Sequence, residues 1–182
     1  MSLSTPPHGI NHVVITGLMG AGKTTTGRSL AARLGWPWRD SDVDIEAATG
    51  RTVRELRERE GVDAMHARES AQLLDALAAP GPSVISAAAS VVDDPACRAA
   101  LLSPGRVTFW LHAQPAVLAA RFPSADTHRP AYGASTEAFL TAQAAEREPL
   151  AVTVRAHVID VDDLTPDEVV ARAMETLASI GP

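Results

Sequence analysis

The chain has 182 residues and a mass of 19.1 kDa, the size of one domain, and 46% of its side chains are hydrophobic, enough for a core. Its 16 basic and 22 acidic side chains leave a formal charge of −6, which speaks against a basic face for a phosphate backbone and so against a nucleic-acid partner. The one cysteine, Cys97, excludes an internal disulfide, no apolar run approaches membrane-spanning length, and no basic-then-apolar leader opens the chain, so a cytoplasmic setting without a membrane partner is expected.

Residues 1–11 read as a loose tail and 12–180 as one domain. Val13–Thr16 is an apolar run of strand length, followed by a glycine-rich turn and a helix from about Lys23 to Leu34, with Gly35 at the helix C-terminal position. "WPWRDSD" reads as a second strand running into a polar end. Thr52–Glu55 has capping-box spacing and opens a further helix. Asp63–Leu77 is expected to be helical, Ser83–Ser86 a strand with "AAAS" behind it, and Arg106–His112 another strand. Helices are expected over Pro115–Arg121 and Thr136–Arg147. "AHVIDV" gives a fifth strand, and Thr165–Glu168 combines a threonine cap, Pro166 at the first helical position and glutamate at the third. The final helix then runs to about Ile180. Residues 122–136, rich in Pro, Ser, Asp, Thr and Gly, form a connection long for a compact domain, either a mobile lid or a disordered insert.

Alternating strands and helices of this kind predict an α/β fold, a parallel five-stranded sheet with helices on both faces in three layers. Ligands bind such sheets beyond the carboxyl ends of the strands. The residues that follow the first strand carry the clearest chemistry. Gly17, Gly22, Lys23 and Thr24 match G-x-x-x-x-G-K-[ST] between a strand and a helix, the context in which this pattern cradles a polyphosphate. Backbone amides of Gly17, Met19, Gly20, Ala21, Gly22 and Thr25 would turn toward phosphate oxygens, with the helix N-terminus behind them. Lys23 would reach the β- and γ-phosphates and the Thr24 hydroxyl would ligate Mg²⁺. The pattern alone leaves ATP and GTP open. Asp40 and Asp42 follow the second strand two residues apart, which on a strand puts both carboxylates on one side, one for a magnesium-bound water and one for an acceptor hydroxyl.

The blocks "GLMGAGKTTTGRSLAARLG", "DSDVDIEAATGRTV", "GVDAMHARES", "HRP" and "EREPL", in this order from about His12 to Leu177, resemble the shikimate kinase family of small P-loop kinases. The resemblance implies a P-loop NTPase fold, ATP and Mg²⁺ as cofactors, and a monomer acting on a small hydroxylated, anionic substrate. It also implies roles. Asp40 would serve the magnesium. Asp42 would contact the acceptor hydroxyl. Arg147 would pair with the acceptor carboxylate. Arg129 in the lid would close over the phosphates during transfer. Arg121 would cover the adenine, with Pro166 in the adenine loop.

Two stretches depart from the family. Where it has "GFR", with an arginine for the acceptor carboxylate, this chain has "AMH" and hence His66, and Val62 replaces a glutamate. Where it has three glycines after the third strand, Ala87, Ala88 and Ala89 stand, and their three methyl groups are expected to intrude on the acceptor. His66 is either a partly protonated anion contact or an ordinary polar helix residue. Of four expected acceptor contacts, Asp42 and Arg147 stand and those at His66 and Ala88 are altered. The expected function is ATP-dependent phosphoryl transfer to shikimate. The alternatives are a sugar acid such as gluconate, or a homologue that binds nucleotide without turnover.

Overall fold

The computed structural model describes residues 9–121 and 136–180. The tail before residue 9 and most of the expected lid, Arg129 included, lie outside the described residues.

Five strands, β1 (His12–Gly17), β2 (Trp38–Asp40), β3 (Ser83–Ser86), β4 (Arg106–His112) and β5 (His157–Asp160), form one all-parallel sheet in the order β2-β3-β1-β4-β5. All six residues of β1 are buried, as befits the centre of a sheet covered on both faces. The register aligns Val13 with Val84 on β3 and with Val107 on β4. His12 shares a 3.0 Å hydrogen bond through Nδ1 with Ser83 Oγ, which satisfies two buried polar groups where the sheet begins.

Among the described residues there are eight α-helices: α1 (Lys23–Leu34), α2 (Ser41–Thr49), α3 (Val53–Glu60), α4 (Val62–Ala78), α5 (Pro95–Leu101), α6 (Pro115–Ala120), α7 (Thr136–Thr153) and α8 (Pro166–Ser179). α8 packs on α1, α4 meets α5, and α6 meets α7. Leu30 of α1, Leu73 of α4, Leu140 of α7 and Leu177 of α8 are buried in one core with Phe109, Trp110 and Leu111 of β4.

The capping boxes at Thr52–Glu55 and Thr165–Glu168 form as the spacing predicts. Three stretches differ from expectation. β2 ends at Asp40, because the Asp40 carboxylate accepts from the Asp42 amide at 3.1 Å and so starts α2 at once. The strand-alternation argument for Asp40 and Asp42 is therefore corrected: the pair straddles a helix N-terminus. The short α5 is an unanticipated helix, opened by the Asp94 cap and Pro95 at its first position. Finally, α7 continues through Pro149 to Thr153, beyond the expected end at Arg147, and buries Ala151.

Candidate active site

An open cavity of about 340 Å³ lies at the carboxyl ends of β2 and β3 and over the loop leaving β1. Its phosphate end is lined by Met19, Lys23, Thr24 and Asp40, its other end by residues of α3, α4 and α7.

The loop is shaped by two glycines. Gly17 has φ +140°, and a Cβ there would sit 2.5 Å from the Leu111 carbonyl oxygen of the adjacent strand. Gly22 has φ 91° as the cap of α1 and offers no side-chain acceptor, so the first amides of that helix are left to an external anion. Lys23 Nζ donates to the Leu18 carbonyl at 3.1 Å, folding the ammonium over its own loop. Ser86 Oγ at the end of β3 donates to the Lys23 carbonyl at 3.1 Å and accepts from Trp38 Nε1 at 3.0 Å, locking the start of α1 to the sheet.

Thr24 Oγ1 donates to Asp40 Oδ2 at 2.8 Å. Burial pushes the Asp40 carboxyl above its ordinary pKa, and the nearby Asp42 charge adds to this against the Thr24 hydrogen bond. A hydroxyl beside a half-desolvated carboxylate, next to a phosphate loop, is an oxygen donor set suited to Mg²⁺ shared with phosphates and water. Asp42 stands one turn into the site and lines the same cavity.

The far end is more altered than the sequence suggests. Arg147 is buried, with only 6% of its side chain exposed, and its Nε and Nη2 donate to Asp93 Oδ2 at 2.9 and 2.8 Å. The cavity wall takes this residue inward. Half-buried His66 is held below its ordinary pKa, first by burial and then by the Arg147 guanidinium. This direction favours the neutral imidazole over the protonated anion contact that the sequence allowed. The alanine run is also corrected. Ala87 is wholly buried away from the cavity, whereas Ala88 and Ala89 line it, so two methyl groups and the Ser90 side chain replace the expected three.

Glu69 of α4 is a site residue that sequence reasoning missed. It is 5% exposed, lines the cavity and accepts a short hydrogen bond from Ser90 Oγ. Burial pushes its carboxyl up to about 7, above the counteracting Ser90 bond. Its signal was helical spacing, since Val62, Met65, His66 and Glu69 share one face of α4. Asp93 and Arg57 were missed as well.

Of the expected residues, Met19, Lys23, Thr24, Asp40, Asp42, His66, Ala88 and Arg147 line this one cavity. Gly17, Gly20, Ala21, Gly22 and Thr25 belong to the loop and the first turn of α1 beside it. Arg121 and Pro166 lie elsewhere, near each other: Arg121 Nη2 donates to the carbonyls of Val161 and Asp162 at 2.8 and 3.1 Å, just ahead of α8. Among the described residues no cluster of three or more His, Cys, Asp or Glu could hold a metal on its own, and no helix is long and apolar enough to cross a membrane.

A family model for shikimate kinase matches residues 19–178. The chain is 38% identical over 173 residues to a shikimate kinase of Symbiobacterium thermophilum, covering 93% of this chain and 98% of that one. It is 34% identical over 174 residues to a shikimate kinase of Pseudomonas entomophila, covering 95% and 99%. The fold superposes with TM-score 0.84 on the shikimate kinase of Acinetobacter baumannii, solved in complex with shikimate, at 27% identity over 93% of this chain and 94% of that one.

Proposed function

The chain belongs to the shikimate kinase family and is an ATP-dependent phosphotransferase with an alcohol group as acceptor; from that premise we propose that it phosphorylates a hydroxyl of shikimate. The observation that carries this reading is one cavity lined by Lys23 and Thr24 of the phosphate loop, by Asp42 and by Arg147.

In this reading the loop amides and Lys23 hold the β- and γ-phosphates. Thr24 and Asp40, joined by their hydrogen bond, would hold Mg²⁺, which would supply charge neutralisation on those phosphates. Asp42 orients the acceptor hydroxyl and accepts its proton as the oxygen attacks phosphorus. Arg147 offers the acceptor carboxylate its remaining donors. Transfer of this kind depends on positioning and on charge more than on covalent chemistry, so these few groups suffice. Arg129, in the segment outside the described residues, would supply a further cation over the phosphates, and Arg121 with Pro166 would border the adenine. Residues 12–180 would act as one domain with a lid at about 122–136, monomeric and cytoplasmic, without nucleic-acid or membrane partners. Family membership does not favour gluconate or a non-catalytic role.

The test is ADP release from MgATP with and without saturating shikimate. Strong stimulation, lost in Lys23→Ala and reduced about 100-fold in kcat in Asp42→Asn, supports the assignment. ATP binding without stimulation by shikimate sinks it.

A further inference from the structure

The family places an arginine where this chain has His66, so one cationic contact to the acceptor is missing from its expected place. The cavity contains a second guanidinium all the same. Arg57 lines it, one helical turn after Val53, which lines it too, so both project from one face of α3. Across from them stand Met65 and His66 of α4 and Arg147 of α7. We infer that Arg57 is a specificity-determining residue that contacts the acceptor's carboxylate together with Arg147, in place of the guanidinium that the family has at the position of His66. This rests on the proposed reaction with a carboxylate acceptor.

Three observations support it. Arg57 and Arg147 line the same cavity as His66, and both charges act on its imidazole in the direction that drives off its proton, against the opposite pull of Asp93 and Asp63. The last turn of α3 holds two basic residues, Arg57 and Arg59, and either one suits the helix dipole, yet only Arg57 is turned into the cavity. Arg147 gives its Nε and one Nη2 proton to Asp93, so its remaining face is only part of the cation it would otherwise present. An anionic group between Arg57 and Arg147 relieves the repulsion between like charges that share a small space. The acidic side chains facing the same cavity, Asp40, Asp42, Glu69 and Glu146, do not favour an anion by themselves, so a second cation beside Arg147 offsets them.

The experiment is steady-state kinetics with shikimate and with its uncharged methyl ester, on wild type, Arg57→Gln, Arg57→Lys and the double variant Arg57→Gln/His66→Arg, each checked for an unchanged melting temperature. Arg57→Gln should raise the KM for shikimate at least about tenfold, with kcat and the KM for ATP within about threefold. The ester's KM should move little. Arg57→Lys should fall between, and adding His66→Arg should restore the KM. An Arg57→Gln penalty that is absent, or equal for acid and ester, overturns the role of Arg57 while leaving the reaction standing. A wild type that turns over no shikimate overturns the reaction and this role with it.

Discussion

Arg147 and Asp93 form a two-donor ion pair to a single carboxylate oxygen, at 2.9 and 2.8 Å, on the wall of the acceptor cavity. Asp93 keeps 39% of its side chain exposed while Arg147 keeps 6%, so the carboxylate is the partner nearer solvent. It orients the guanidinium and also competes with any incoming carboxylate. Arg147→Met should raise the KM for shikimate roughly 100-fold, equivalent to about 3 kcal/mol of lost charged contact. Asp93→Asn should lower that KM severalfold while the melting temperature falls. Initial-rate measurements across a shikimate series decide both, and an unchanged KM in Asp93→Asn refutes the competition.

Glu69 gives the folded protein an unusual pH dependence. Its carboxyl titrates near 7 in the fold, because of burial, against an ordinary value of 4.5. Between these values the unfolded chain has lost the proton and the folded chain still holds it. Stability therefore falls as pH rises through this window, by about 3 kcal/mol for this group. Glu69→Gln, neutral throughout, should gain on wild type by about that amount between pH 4 and pH 8. Urea unfolding at the two pH values measures it, and a constant difference between the proteins contradicts it.

Asp40 is tied to Thr24 at 2.8 Å and caps α2 through the Asp42 amide. Asn at this position keeps the cap and loses the charge. Asp40→Asn should therefore fold normally, melt within a few degrees of wild type, and need about tenfold more Mg²⁺ for half-maximal rate. Titrating Mg²⁺ at fixed ATP reads this directly. An unshifted Mg²⁺ curve removes Asp40 from the metal site.

Gly17 combines φ +140° with a close approach to β4. A methyl group would meet a backbone carbonyl, which cannot rotate away as a side chain can. Gly17→Ala should cost about 2–4 kcal/mol of stability, seen as a clear drop in melting temperature, and should weaken ATP binding as the loop shifts. A variant that melts with wild type would show that the loop relaxes freely.

The phosphate loop, the alternation of strands and helices, and both capping boxes were legible in the linear chain. Each depends on spacing within a few residues: Gly17, Gly22, Lys23 and Thr24 sit in one turn, and Thr52 with Glu55 in another. Backbone geometry over so short a stretch admits few alternatives, so residue type decides it. Asp40 and Asp42 were found for a reason that needed correcting, since the cap formed by Asp40 converts the strand end into a helix start.

The acceptor end required the tertiary structure. Arg147 and Asp93 are 54 residues apart, and Ser90 and Glu69 are 21 apart. They meet because the sheet order puts the turn leaving β3 beneath α4 and α7. Whether Arg147 faces solvent or cavity, which way the His66 pKa moves, and which alanines line the cavity depend on burial and on charges from other elements. Those are sums over distant neighbours, which a linear sequence does not bring together. The sequence by itself determined a phosphate-binding α/β fold of a recognisable family; the packing of α3, α4 and α7 around the β3 exit decided how the acceptor's charge is met.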